Sequence, residues 1–263
     1  MEITGLQNPQ VKAASELKQK KYRQQRGQFL AEGLRTVEEA VAASSVEAIF
    51  YTPIENDAER MRAVLEQAAE RQVKLYCVSE SVMKKIADTD SPQGIIAVCR
   101  MQQTSLDELL ASGKMLLVLD RVGDPGNVGT MLRTADAAGL GGLVLLKGSV
   151  DIYAPKTVRS SMGSLFHVPV LTGVDEGAFI RAAHDAGYEL LVTCLDGADS
   201  LYKADLHGRI AFVMGNEANG VTASLLAAAD KRVFIPMAGR AESLNVAMAA
   251  GIVMFEALRQ GLK

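Results

Sequence analysis

The chain has 263 residues, 48% of them hydrophobic and 22% charged, which is enough apolar side chain to bury a sizeable core and excludes a disordered polypeptide. The formal net charge of −3 excludes a uniformly basic nucleic-acid binder, yet seven Lys/Arg stand against three acids in residues 1–35, a local +4 that leaves −7 elsewhere. Three scattered cysteines (Cys77, Cys99, Cys194) and three scattered histidines (His167, His184, His207) offer neither a disulfide framework nor metal-ligand spacing, so no metal is expected.

The length favours two modest domains. The N-terminal lysines have no apolar stretch behind them, and the longest apolar segment, residues 244–258, is too short to span a bilayer. A soluble cytoplasmic protein with no membrane partner is the expectation. The basic run Lys18-Gln-Lys-Lys-Tyr-Arg-Gln-Gln-Arg26 reads either as a solvated helix face or as an electrostatic footprint for a phosphate backbone.

Strands are expected over residues 29–31, 46–51, 73–78 and 94–99, alternating with helices over 34–43 and 57–71 and one capped by Ser79 that runs through Ile86. These elements make a small α/β sandwich. The polar start of residues 101–113 marks that stretch as a linker. Beyond it, residues 115–119 form an uninterrupted apolar run ending in Asp120, as in a parallel strand buried on both faces. Further strands over 143–146, 189–193, 210–214 and 232–235 alternate with helical patterns, the signature of a mostly parallel sheet covered by helices.

In such sheets ligands lie beyond the carboxyl ends of the strands, which directs attention to three loops. The first contains Asp120, Gly123, Gly126, Asn127, Gly129 and Arg133; its GxxGxxG spacing departs from the GxGxxG dinucleotide fingerprint. Asn127 is placed to cap the helix that follows. Arg133, one turn beyond Gly129, would present a guanidinium at the strand-end crevice or form a surface ion pair with Asp136 or Asp120. The second loop, Gly215-Asn-Glu-Ala-Asn-Gly220, sets Glu217 between glycines before a helix capped by Thr222. In the third, Ser243 is placed to cap a long helix, and Asn245 is polar where its successors are apolar nearly all round. A helix apolar on every side is expected to lie buried against a partner chain.

Asn127-x-Gly129-x-x-x-Arg133, then Gly215-Asn216-Glu217 with Gly220, then Ile235-Pro236-Met237 with Ser243-Leu244-Asn245 resemble, in order, the three motifs of the SpoU (TrmH-like) RNA ribose 2′-O-methyltransferases. Residues 156–169 (KTVRSSMGSLFHVP) resemble that family's intervening segment. Residues 29–33 (FLAEG) and 91–98 (SPQGIIAV) resemble the ends of its ribosomal-protein-like substrate-binding domain. The chain departs from the pattern at Ala218, where glycine is common, and at Ala247, where a small hydroxyl residue is frequent.

The resemblance implies a trefoil-knotted, SPOUT-type, mostly parallel α/β domain over residues 114–263, preceded by an RNA substrate-binding α/β domain over 1–100 and the linker 101–113. It implies S-adenosylmethionine as cofactor and a homodimer formed through the catalytic domain. Arg133, Asn127, Glu217, Ser243 and Asn245 become the expected catalytic set, with Gly215, Ile235, Met237 and Leu244 holding the cofactor. No histidine stands in the three loops, and free arginine is far too basic to act as an ordinary base. Arg133 is therefore expected to hold an RNA phosphate against the 2′-hydroxyl. The basic leading segment and the added N-terminal domain resemble the ribosomal-RNA branch, with large-subunit RNA as target. The alternatives are a transfer-RNA 2′-O-methyltransferase, a catalytically inert RNA-binding protein of the same fold, and, from another class, a nucleotide-dependent oxidoreductase.

Overall fold

A computed structural model describes residues 2–53, 58–194 and 197–262. They fall into two compact units, Met1–Met101 with Asp151–His167, and Gln102–Val150 with Val168–Lys263.

The first unit opens with α1 (Pro9–Glu16), started by the Asn8 side chain accepting from the Gln10 N–H at 2.9 Å, and α2 (Lys20–Arg26), stopped by Gly27 at φ 63°. Then come β1 (Gln28–Glu32), α3 (Leu34–Ala42), β2 (Val46–Tyr51), α4 (Ala58–Glu70), β3 (Lys74–Cys77), α5 (Glu80–Ile86) and β4 (Ile95–Arg100). Asp57, the expected start of α4, lies outside the described residues. Ser79 occupies the cap position of α5 without a side-chain cap bond. The strands form one sheet in the order β1-β4-β2-β3, antiparallel except for β2 with β3. Phe50, Met83, Ile86 and Ile96 anchor its core with the buried side of α1.

The basic run is largely consumed inside this unit. Arg23 is 3% exposed, pairs with Asp151 at 2.6 Å and donates to the carbonyls of Leu17 and Lys18. The Lys18 ammonium bonds the carbonyls of Lys85 and Ala87, and Arg26 pairs with Glu16. Three of the charges are therefore structural, contrary to the reading of the whole run as a solvated face or phosphate footprint.

The second unit begins with α6 (Leu106–Ala111), so residues 101–113 are not a plain linker: Ser105 and Glu108 close a capping box, and Leu109 and Leu110 enter the core. It continues with β5 (Leu116–Leu119), α7 (Pro125–Ala137) and β6 (Gly142–Leu146). Residues 151–167, expected within the catalytic domain, belong instead to the first unit. There they form α8 (Pro155–Ser160) and a 3-10 turn (Ser164–Phe166), and Tyr153 and Phe166 set their rings 4.9 and 5.9 Å from that of Phe29.

The chain re-enters the second unit with β7 (Val170–Val174), α9 (Glu176–Asp185), β8 (Glu189–Thr193), β9 (Asp199–Ser200), β10 (Ile210–Met214), α10 (Ala223–Ala227), β11 (Lys231–Phe234) and α11 (Val246–Gly261). The sheet order is β7-β6-β5-β10-β8-β11-β9, with every described pair parallel. Every residue of β5, β6 and β10 is buried, which matches their unbroken apolar runs. Chain order reverses between β5 and β10, so the crevice beyond their carboxyl ends is the topological switch point. No helix of the described residues is long and apolar enough to cross a membrane.

Arg23→Met should lower the unfolding free energy of the first unit by about 3 kcal/mol, because it leaves the Asp151 carboxylate without its partner. Chemical denaturation followed by circular dichroism measures it; an unchanged midpoint would contradict a structural role for Arg23.

Candidate active site

Three loops meet at the switch point, and side-chain amides tie them together. The Asn127 amide N–H donates to Glu217 Oε1 at 2.9 Å, and the Asn245 amide N–H donates to Asn127 Oδ1 at 3.0 Å. These partners are 90 and 118 residues apart in the chain.

Each member is held by its own element. α7 starts at Asp124, whose carboxylate accepts from the Asn127 N–H at 2.7 Å, with Pro125 in the first turn. Asp124 thus takes the capping role expected of Asn127 and leaves the Asn127 side chain free for Glu217. α11 starts at Asn245, whose Oδ1 accepts from Ala247 N and Met248 N. Ser243, expected as that cap, stands before it and lines a cavity instead. Thr222 caps α10 as expected.

The loop carrying Glu217 is folded on itself by Asn216, which the sequence reading passed over. Its backbone exchanges two hydrogen bonds with Gly220, its Oδ1 accepts from the N–H groups of Ala218 and Asn219, and its Nδ2 donates to the Arg121 carbonyl at 2.9 Å. A Cβ on Gly215 would lie 2.3 Å from the Gly220 carbonyl carbon, so only glycine permits this crossing. Asp120, 1% exposed, accepts from the Thr222 N–H at 2.8 Å and from the Arg121 guanidinium, with Arg121 in a left-handed conformation at φ 55°. The buried Asp closing the β5 run was the available signal.

Burial opposes ionisation of Glu217, but hydrogen bonds from the Asn127 side chain and from the N–H groups of Glu217, Gly123 and Asp124 outweigh it. They hold the carboxyl below the ordinary range. The stabilisation that comes from this ionised group is therefore present above the usual carboxylate pKa and is lost as pH falls through the depressed folded-state value.

Beside these groups lies a cavity of about 480 Å³ lined by Gly215, Glu217, Ile235, Met237, Ser243, Leu244 and Asn245, with Thr193, Val233 and Ala249 among its other walls. The lining is mostly apolar with a few convergent polar groups and two carboxylates, Glu217 and Glu242, a chemistry that suits an adenosine carrying a positive sulfur centre. Residues expected for cofactor and for catalysis thus share one wall. Asn127 joins that wall only through its bonds to Glu217 and Asn245, and Arg133 does not join it. Arg133 is exposed and does not line the cavity, and its guanidinium forms no hydrogen bond or ion pair among the described residues, so the alternative pairs with Asp136 and Asp120 are not made. Six residues beyond Asn127, it faces roughly 120° away around α7. Among the described residues no group of three or more His, Cys, Asp or Glu side chains could hold a metal ion.

Comparison with known proteins defines the class. Residues 114–255 match the SpoU rRNA Methylase family, and residues 8–97 match the MRM3-like substrate binding domain. The chain is 36% identical over 254 residues to the 23S rRNA (guanosine(2553)-2′-O)-methyltransferase RlmP of Bacillus subtilis, covering 97% of this chain and 98% of that protein. An AdoMet-bound rRNA methyltransferase from Sinorhizobium meliloti superposes with a TM-score of 0.88 at 34% identity, over 100% of this chain and 99% of the other. A structure describing 2-OH methylation of C/U34 on tRNA matches only 56% of this chain and 97% of its own, with a TM-score of 0.51 at 32% identity. The α/β fold with a parallel seven-stranded sheet and the ordered site loops are those of a SPOUT-type methyltransferase. The chain belongs to the SpoU rRNA Methylase family.

Asn127→Ala removes the strongest of the bonds that favour ionised Glu217, so the Glu217 carboxyl should titrate upward, towards the ordinary value of about 4.3. Carboxyl-carbon NMR across the acid range reads the shift, and an unmoved midpoint would detach Glu217 from Asn127.

Proposed function

We propose that this chain transfers a methyl group from S-adenosylmethionine to a ribose 2′-hydroxyl in large-subunit ribosomal RNA, with residues 1–100 engaging the RNA and residues 114–263 carrying the reaction. The enzyme class and cofactor follow from family membership. The observation that carries the site assignment is the Asn245–Asn127–Glu217 chain at the wall of the apolar cavity. A relative matching 97% of the chain carries a 23S rRNA name, and others with such names match 83–89% of it, whereas the transfer-RNA neighbour matches little more than half, which favours the ribosomal target.

When bound, S-adenosylmethionine supplies an electrophilic methyl group on a sulfonium. In this reading Gly215, Ile235, Met237 and Leu244 enclose its adenosine end, and ionised Glu217 offers the nearby carboxylate. Asn127, Ser243 and Asn245 fix the polar side of the site and orient the ribose. Arg133, free of internal partners, binds an RNA phosphate and holds it against the 2′-hydroxyl, so that the proton is lost more easily as the oxygen–carbon bond forms. The knotted chain path implied by the resemblance belongs to the same proposal.

The protein acts as a homodimer joined through α11. Met248 and Phe255 lie 61% and 48% exposed, seven residues apart on one side of that helix, while Ala250, Val253, Met254 and Ala257 face its own unit. Arg133 precedes Thr134, whose methyl lies 3.6 Å from where a Cβ of Gly251 would sit, so it stands beside the same face.

Arg133→Ala should cut methyl incorporation into large-subunit RNA by at least about a hundredfold while S-adenosylmethionine affinity, read by calorimetry, stays unchanged. Near-normal incorporation would remove Arg133 from the reaction. Phe255→Glu should turn a sedimenting dimer into a monomer, and a variant that still sediments as a dimer would refute pairing through α11.

A further inference from the structure

The first unit contains a second cavity, of about 210 Å³, remote in the chain from the three motif loops. It is lined by residues that include Arg35, Thr36, Ser91, Gln93 and Arg159. Its floor is the start of α3. Gly33, at φ 98°, offers no side chain to cap that helix, and a Cβ there would lie 2.9 Å from Gln93 Oε1. Gln93 substitutes for the missing cap by accepting from the Leu34 N–H at 3.3 Å, and the next helical bond to a carbonyl is Val37 N to Gly33 O. The N–H groups of Arg35 and Thr36 therefore remain without partners among the described residues.

Two side chains make this more than a helix end. Thr36 is only 5% exposed, lines the cavity, and its hydroxyl has no hydrogen-bond partner among the described residues. Among the described residues Arg23 Nε is the only buried polar side-chain atom without a partner, so the Thr36 hydroxyl is reached from the cavity and can donate to what enters it. Arg35, exposed at the cavity mouth, likewise has no ion pair. The one carboxylate in the wall, Glu32, is already committed: it accepts from Thr89 Oγ1 and the Asp88 N–H, and Arg159 lies 3.8 Å from it while bonding Asp88 at 2.8 Å. Arg159 is shared by two carboxylates, so with Arg35 the four charges around the space balance, and Arg35 is the guanidinium there that no carboxylate pairs.

We propose that this cavity is a phosphate site that takes a backbone phosphodiester of the RNA substrate, with Arg35, the Thr36 hydroxyl and the free N–H groups of α3 as its donors. The proposal rests on the RNA-modifying function given above. The site holds the strand through its backbone, so it contributes affinity and register and reads no base.

The test measures binding of a fluorescein-labelled single-stranded RNA oligonucleotide to the full chain by anisotropy over a salt series. Arg35→Ala should weaken binding roughly tenfold and reduce the slope of log affinity against log salt by about 0.7, the loss of one phosphate contact. Arg35→Lys should keep the slope. Thr36→Val, which preserves shape, should weaken binding a few-fold at an unchanged slope. Circular dichroism melts and S-adenosylmethionine calorimetry should match the parent protein for all three. Unchanged RNA affinity and slope in Arg35→Ala and Thr36→Val would overturn the proposal. So would calorimetry in which inorganic phosphate binds the parent and not the variants while RNA binding is unaffected, since the site would then serve free phosphate. Because the readout is RNA retention, a parent protein that binds RNA without methylating it would sink the methyltransferase reading and leave this site standing.

Discussion

The site depends on the ability of an asparagine amide to accept at one end and donate at the other. Asn127 accepts from Asn245 and donates to Glu217, while Asn245 both caps α11 and supplies that donor. Asp in place of Asn127 would lose the donor and set a second negative charge beside Glu217; Leu would leave both neighbours unpaired. Two helix starts and one strand-end loop are thereby locked to a common geometry, and the carboxylate is kept ionised by the same bonds that position it. Preorganisation here is carried by neutral amides and backbone N–H groups.

Behind that chain lies a less exposed layer. Asp120 takes the Thr222 N–H and the Arg121 guanidinium, and the Arg121 carbonyl takes the Asn216 amide, so the loop after β10 is bonded to the end of β5 from both sides. The left-handed backbone at Arg121 persists because these contacts over-determine it. With Gly215 packed against Gly220, the loop has little freedom to drift away from the cavity it borders.

The first unit divides its positive charge by pairing. Arg23, Lys18 and Arg26 satisfy carbonyls and carboxylates within the unit, whereas Arg35 is left over at a cavity with unsatisfied donors. A local excess of charge in the sequence therefore measures two different things, the internal ties of the fold and the charge available to a ligand. The segment 151–167 contributes to the first of these by bringing Asp151 to Arg23 and two rings to Phe29.

Apolar runs located β5, β6 and β10 to within a residue or two, because strands buried on both faces leave an unbroken hydrophobic signature in the chain; β8 and β11, less fully buried, were placed as closely. The edge strand β7 (VLTGV), half exposed, lacks that signature and was not read; nor were α6 and α9. The order of the motif residues was likewise legible, and with it the family. What the sequence could not decide was which polar residue bonds which. Asp124 and Asn127, or Ser243 and Asn245, are equally good caps on composition, and only the arriving partner settles the choice: Asn127 is drawn to Glu217 and Asn245 to Asn127. Chain composition determined the parallel sheet and the identity of the site loops, since burial is a property of runs of residues. The hydrogen-bond chain, the placement of 151–167 in the first unit and the separation of Arg133 from the cavity were decided by tertiary structure, since a directional bond between residues about a hundred apart leaves no trace in local pattern.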